Sequence, residues 1–398
     1  MFSLSSDESF HFELLRALAL SRYHGTDINE VLVAASKITP GDFESFSSVF
    51  TALASRTLDR AISLDSKKYQ VSARDAFFAA SSYFRSADFY LHGNKSDPRI
   101  DELWKKQTFA FDQAIRLLPT PGERKLLKAD GFDVPLIFYA AEGAGRKPTL
   151  ILGNGFDGAQ EEMLHSCGFA ALERGWNVCT YEGPGQCTVV RDQGLGFINE
   201  WEKVVSPVVD YLETREDVDV KKVGLVGFSM AGYLCVRAAA FEHRFAAVMA
   251  VDGVYDVGEA FTKMAGPLVK VADEGGDVDS TAREWLKDPG VPSTVKWGVG
   301  HGLWSFQTDS AMDFLERTKK MTLKGIESKV QCPIWVGLAK DDIFFGGQPE
   351  KMKEVFGDQA TLTELTAEDG AGEHCHVGAF AFMNQKVMDW FQDVIERS

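Results

Sequence analysis

Residues 223–234 read VGLVGFSMAGYL and run on into CVRAAAFEH, so a serine stands between an apolar run and a stretch with helical spacing of apolar residues. The first part has the β-branched, continuously apolar character of a buried strand, and the second that of a helix. A serine on a sharp strand-to-helix turn needs small neighbours two residues to either side, because the turn presses those positions against adjacent backbone. Ser229 has Gly227 on one side and Ala231 on the other. Glycine is usual at both positions, so Ala231 departs from the pattern by one methyl group. Serines between small residues are common in turns; the strand-turn-helix context is what makes Ser229 a candidate nucleophile.

A serine hydroxyl is a poor nucleophile near neutral pH and needs a base, which in turn needs an orienting carboxylate. Such partners follow downstream in the order carboxylate, then histidine. After the apolar run PIWVGLA comes Lys340-Asp341-Asp342-Ile343-Phe344-Phe345, and after ATLTELTAEDG comes the glycine-rich turn Gly370-Ala-Gly-Glu-His374-Cys-His376. Asp342 is preferred to Asp341 because the apolar residues after it anchor the loop, whereas Lys340-Asp341 reads as solvated. His374 is preferred to His376 because it sits in the turn itself, with His376 expected to open the final helix. A lone Asp or His is more often a turn cap or surface decoration. Three placements in the required order argue otherwise. His-x-His without a third ligand is a weak metal signal, so no metal and no cofactor are expected.

The oxyanion formed on attack at a carbonyl needs two preorganised N–H donors. One is Met230, directly after the serine. The other is Phe156 or Asp157, in Gly153-Asn-Gly155-Phe156-Asp157-Gly158 after the run TLIL. This loop lacks the Lys-Ser/Thr pair that a phosphate-cradling loop carries. A second glycine loop, Tyr181-Glu182-Gly-Pro-Gly185-Gln186, ends the next strand, and Glu182 is expected either to contact substrate or to brace that loop.

Working outward, FHFELLRALALSRYHG, SFSSVFTALASRTLDRAI and ARDAFFAASSYFRSADFYL all show three- and four-residue apolar spacing without strand-like alternation. A helical unit over 1–121 ends at Pro119-Thr-Pro121-Gly122. From 122 to 398 short apolar strands alternate with helices, beginning with the hairpin KLLKADGFDVPLIFYAAEG. That pattern predicts an α/β architecture, a mainly parallel sheet with helices on both faces. Between Tyr255 and Ile326 the strand rhythm lapses into a helical insertion bearing Trp285, Trp297, Trp304 and Phe306, expected at the carboxyl ends of the strands.

A net charge of −16 over 398 residues, with no long basic run, argues against nucleic acid as a partner. Asp7 and Glu8 precede Arg16, the first basic residue, and no apolar stretch approaches the roughly 20 residues a membrane span needs. Six cysteines without a C-x-x-C pair suit a reducing compartment. The expectation is a cytoplasmic protein with a small-molecule substrate. No motif bears on oligomerisation; a homodimer through the helical N-terminal unit stays open.

Taken together, GNGFDG, YEGPGQ, WEKVVSPVVDYL, VGFSMAGYL, DDIFFGGQP and GEHCHVGA resemble FrsA-like α/β-hydrolases, in particular fungal yellowish-green polyketide-shortening hydrolases and related C–C bond hydrolases. The resemblance runs nearly the whole length of the chain. It implies an α/β-hydrolase fold with triad roles for Ser229, Asp342 and His374, and a lid made by the helical N-terminal unit and the 255–326 insertion. It also implies hydrolysis of a C–C bond beside a ketone, or of an ester, in a polyketide-like substrate of secondary metabolism. A lyase or cyclase on the same scaffold is the alternative.

Overall fold

The computed structural model describes residues 2–397 and divides into two compact units. One comprises the chain up to Gly122 together with Val271–Trp304; the other comprises Glu123–Lys270 and Ser305–Ser398.

In the helical unit, helices Glu8–Ala19, Ile28–Ala35, Phe43–Ser63, Gln70–Asp88 and Arg99–Arg116 follow one another. Asp7, Asp27 and Asp42 each accept hydrogen bonds from first-turn N–H groups, so three of these helices start where an aspartate supplies a cap. Their apolar faces meet in an aromatic core: Phe10 lies edge-on to Phe46 at 4.9 Å, and Phe43 stacks on Tyr90 at 4.5 Å. The returning segment closes on that core. Phe89 stacks on Trp297 at 5.3 Å, and the buried His92 Nδ1 lies 2.9 Å from His301 Nδ1. At Gly300 a side chain would meet Gly93 Cα at 2.8 Å, so this approach requires glycine.

The second unit is built on an eight-stranded sheet. Its strands are β1 (Glu123–Lys128), β2 (Asp133–Tyr139), β3 (Lys147–Gly153), β4 (Asn177–Tyr181), β5 (Val218–Phe228), β6 (Ala247–Val251), β7 (Ile334–Ala339) and β8 (Ala360–Leu365). The spatial order is β1-β2-β4-β3-β5-β6-β7-β8. The first two pairings are antiparallel, and all those from β4 to β8 are parallel. Every residue of β4, β6 and β7 is buried, as expected of central strands covered on both faces. The edge strand β1, ERKLLK, is mostly exposed and carries four charges, which discourages pairing with another sheet.

The chain winds from β3 to β4 on one side and reaches β5 on the other. The direction of winding therefore reverses beside β3, and the carboxyl ends of β3 and β5 border the crevice where such sheets bind ligands. The 255–326 stretch is helical, with helices Val257–Met264, Val278–Trp285, Ser293–Ser305 and Ala311–Thr318 among its elements. Val271–Trp304 belongs to the helical unit, and the flanking parts belong to the sheet-bearing one. Among the described residues no helix is long and apolar enough to cross a membrane.

Candidate active site

β5 ends at Phe228 and the helix Ala231–Ala239 begins three residues later, leaving Ser229 at the turn with φ +59°. L-residues rarely adopt this left-handed backbone, and here two close approaches enforce it. A Cβ on Gly227 would lie 2.0 Å from Ala231 O, and one on Gly232 would lie 2.4 Å from Asp252 O. Ala231 itself opens the helix and is not among the residues with positive φ. Its methyl group is therefore compatible with the turn.

The Ser229 Oγ lies 2.9 Å from His374 Nε2, and His374 Nδ1 lies 3.0 Å from Asp342 Oδ2. Of each pair weighed, it is Asp342 and His374 that the structure brings into line with Ser229. Asp341 is exposed and its N–H bonds to Gly372 O. Asp342 is anchored by its Oδ1, which accepts from Phe344 N–H at 2.7 Å. The Phe344 and Phe345 rings pack against the His374 imidazole at 4.9 and 5.6 Å, whereas Ile343, read as part of the anchor, is half exposed. His376 does not open the final helix, which begins at Phe380. It is fully buried in a tight turn, with its Nδ1 against Ala371 O at 2.8 Å.

One residue of this cluster escaped sequence reading. Asp252, at the end of β6, is fully buried, has φ +58°, and places its Oδ2 2.8 Å from the same Nδ1 of His374. The Cys375 N–H donates to that oxygen as well. The missed signal was a carboxylate directly after a strand, lying between the serine and the histidine in chain order, the same signal that singled out Asp342. Burial pulls the His374 imidazole down, but the carboxylates of Asp342 and Asp252 outweigh it and hold the ring well above its usual 6.5. Burial alone pushes Asp252 up; the His374 and His376 rings reverse this and keep its carboxyl below the usual range.

Asp252, His374 and Cys375 offer donor atoms within 4.8 Å of one another. The carboxylate meets Nδ1, while the Cys375 thiol, pushed up to about 12 by burial, lies 3.6 Å from Nε2. Donors on opposite edges of one imidazole do not converge on a single ion, so the group reads as a hydrogen-bond network.

The loop after β3 lies against the serine turn. A Cβ on Gly155 would come within 2.9 Å of both Met230 N and Ser229 Cβ, so only glycine lets this backbone reach the turn. Phe156 and Asp157 follow directly. The Phe156 ring packs against Phe261 at 5.2 Å, within an aromatic group that also holds Phe197 and Phe314. The loop is braced from below by the second glycine loop: the Gln186 side-chain amide donates to Asn154 O and Gly155 O. Glu182 is completely buried and accepts from the N–H groups of Gln160 and Thr188 at 2.8 and 2.7 Å. Of its two expected roles, the structure displays the bracing one. Burial, reinforced by the nearby Glu161 charge, pushes its carboxyl up to about 7.

No family model matches the chain. Among curated proteins it is similar to hydrolase acrC of Aspergillus aculeatus, at 28% identity over 100% of this chain and 99% of that one. It is similar also to 20-hydroxy-prefusarin hydrolase of Gibberella moniliformis, at 28% identity over 98% and 97%. The third relative, alpha/beta hydrolase psoB of Aspergillus fumigatus, is 29% identical over 96% of this chain and 92% of its own length. Among solved structures, 2,6-dihydroxy-pseudo-oxynicotine hydrolase superposes with a TM-score of 0.69 at 21% identity, covering 94% of this chain and 95% of that one. With its winding order, its serine turn between β5 and a helix, and these likenesses, the chain has the α/β-hydrolase fold and is similar along its whole length to fungal proteins named as hydrolases.

Proposed function

We propose that the protein is a serine hydrolase that cleaves an acyl bond, a C–C bond beside a ketone or an ester, in a polyketide-type substrate. The observation that carries this reading is the continuous line Ser229 Oγ, His374 Nε2, His374 Nδ1, Asp342 Oδ2, with contacts of 2.9 and 3.0 Å. The curated relatives named as hydrolases support the reaction class, and the resemblance of the sequence motifs supports the C–C bond.

In this reading His374 takes the Ser229 proton as Oγ bonds to the carbonyl carbon, and Asp342 fixes the tautomer that leaves Nε2 free to accept it. The carbonyl oxygen gains negative charge within reach of the Met230 N–H and that of Phe156 or Asp157. Collapse breaks the C–C bond, the departing carbon leaves as an enolate, and the His374 imidazolium protonates it to a ketone. An acyl group then remains on Ser229. Water, deprotonated by His374, attacks that ester and releases a carboxylic acid with the serine restored. An enolate is a tolerable leaving group only where conjugation spreads its charge, which suits β-dicarbonyl substrates.

The test uses benzoylacetone, a conjugated β-diketone, with intact-protein mass spectrometry during turnover. An acyl adduct on the wild-type chain, and neither adduct nor product with Ser229→Ala, is the expected outcome. Product formed by Ser229→Ala at the wild-type rate would overturn the reading in favour of a lyase or cyclase that needs no acyl intermediate.

A further inference from the structure

Two carboxylates converge on a nitrogen that carries one proton. Asp252 Oδ2 is 2.8 Å and Asp342 Oδ2 is 3.0 Å from His374 Nδ1. They reach it from different parts of the fold. Asp342 follows β7 in a loop whose neighbours Asp341 and Ile343 are exposed, whereas Asp252 directly follows β6 and is fully buried. Two carboxylates in such proximity repel each other, and burying both is unfavourable unless a cation or several donors answer them. Asp342 has the Phe344 N–H for its other oxygen. Asp252 Oδ1 is buried without a hydrogen-bond partner, so the interactions of Asp252 run through Oδ2, to the His374 ring and to the Cys375 N–H.

We propose that Asp252 is a second positioning carboxylate for His374, sharing with Asp342 the work of fixing the imidazole tautomer and stabilising the imidazolium that forms when Ser229 is deprotonated. This rests on the serine-hydrolase reading above and deepens it. Because Asp252 holds both the ring and the backbone N–H of the next residue, it sets the imidazole's orientation as well as its charge. That grip matters locally: Cys375 and His376 have φ of +52° and +53°, and a turn with two consecutive left-handed L-residues needs outside contacts to persist.

Several groups from different elements face the ring. Asp252 comes from the end of β6 and Asp342 from the loop after β7. Cys375 is a neutral thiol in the turn, and Ser229 approaches Nε2 from the end of β5. The Phe344 ring meets the imidazole edge-on and the Phe345 ring at a tilt. His376 acts on Asp252, and the exposed Asp341 lies across the loop against Gly372. The net charge set by the two carboxylates raises the proton affinity of the imidazole, so the free base appears only above the ordinary histidine range.

The test follows phosphorylation of Ser229 in the full chain by diisopropyl fluorophosphate, with fluoride as the leaving group, as a function of pH, read by intact mass. This probe needs an activated Ser229 and no knowledge of the natural substrate. Where one carboxylate serves the histidine, its replacement by amide costs about 10⁴-fold in a serine protease triad. Here Asp342→Asn is expected to slow labelling by only about 10²-fold, since Asp252 still fixes the tautomer, and Asp342→Asn with Asp252→Asn together should fall to the Ser229→Ala baseline. Asp252→Asn alone should move the rising limb of the pH profile down by about one unit, because one negative charge leaves the ring; loosened packing alone would lower the plateau without moving the limb. An unmoved limb in a folded Asp252→Asn variant, or Asp342→Asn falling at once to the Ser229→Ala baseline, overturns the inference. If circular dichroism shows Asp252→Asn unfolded, the Asp342→Asn rate decides alone. Full labelling of Ser229→Ala would sink the serine reading and this inference with it, while loss of labelling there with an unmoved limb sinks the inference only.

Discussion

Four non-glycine residues with left-handed backbone gather at one imidazole: Ser229, Asp252, Cys375 and His376, with φ between +52° and +59°. Each costs on the order of 1–3 kcal/mol relative to a relaxed conformation, and such costs concentrate where a site must be held in one geometry. Ala231 stands outside this group. Since it occupies an ordinary helical position, Ala231→Gly should lose up to about 1 kcal/mol of stability in a urea titration while leaving fluorophosphonate labelling within about twofold. His374 links activity to stability in opposite senses. Its folded-state proton affinity is raised, so its contribution to stability is complete below pH 6.5 and is lost as pH rises through the folded-state value. Labelling should climb through that same window as the free base appears. Urea unfolding between pH 6 and 10 is expected to show stability falling there, and Ser229→Ala, which keeps both carboxylates, should show the same fall.

At the scale of elements, the loop after β3 is fixed by the loop after β4 as well as by its own Asn154, whose side chain accepts from Gly155 N–H and donates to Ala159 O. Glu182→Ala would strand the N–H groups of Gln160 and Thr188, at a cost of about 2–4 kcal/mol, and loosen the backbone next to Met230. A urea midpoint shift together with slower labelling is the expected result; a stability loss with labelling unchanged would separate the brace from the site. All eight strands were legible, because a hairpin with a glycine turn, five largely apolar runs and the alternating ATLTEL leave little choice. β5 begins at Val218, earlier than its apolar run, since VDVKK carries polar residues at its exposed end. In the site, order along the chain pointed to Ser229, to Asp341 or Asp342 and to His374 or His376, and the residues flanking each pair decided for Asp342 and His374. Asp252 went unread although AVMAVDG carries an aspartate directly after a strand, as Asp342 does, because nothing local says which such aspartate points at a histidine more than a hundred residues away. Glu182 was ambiguous for a related reason: whether a carboxylate faces substrate or backbone depends on neighbours that only the folded loops supply.

At the scale of the whole molecule, the helical unit is discontinuous in sequence. Its first five helices are completed by Val271–Trp304, which supplies Trp297 against Phe89 and His301 against His92. A fragment ending at Gly122 is therefore expected to expose apolar surface that this segment covers. It should bind 1-anilinonaphthalene-8-sulfonate and lack a cooperative thermal transition by circular dichroism, whereas the full chain shows one. A fragment that melts cooperatively without dye binding would show that the first five helices form a sufficient core.

The same discontinuity bears on synthesis. The first helices leave the ribosome well before Trp304 does, so their uncovered aromatic faces must wait while strands β1 to β6 emerge. Slower translation across that interval is therefore expected to prolong this exposure and with it the need for a chaperone.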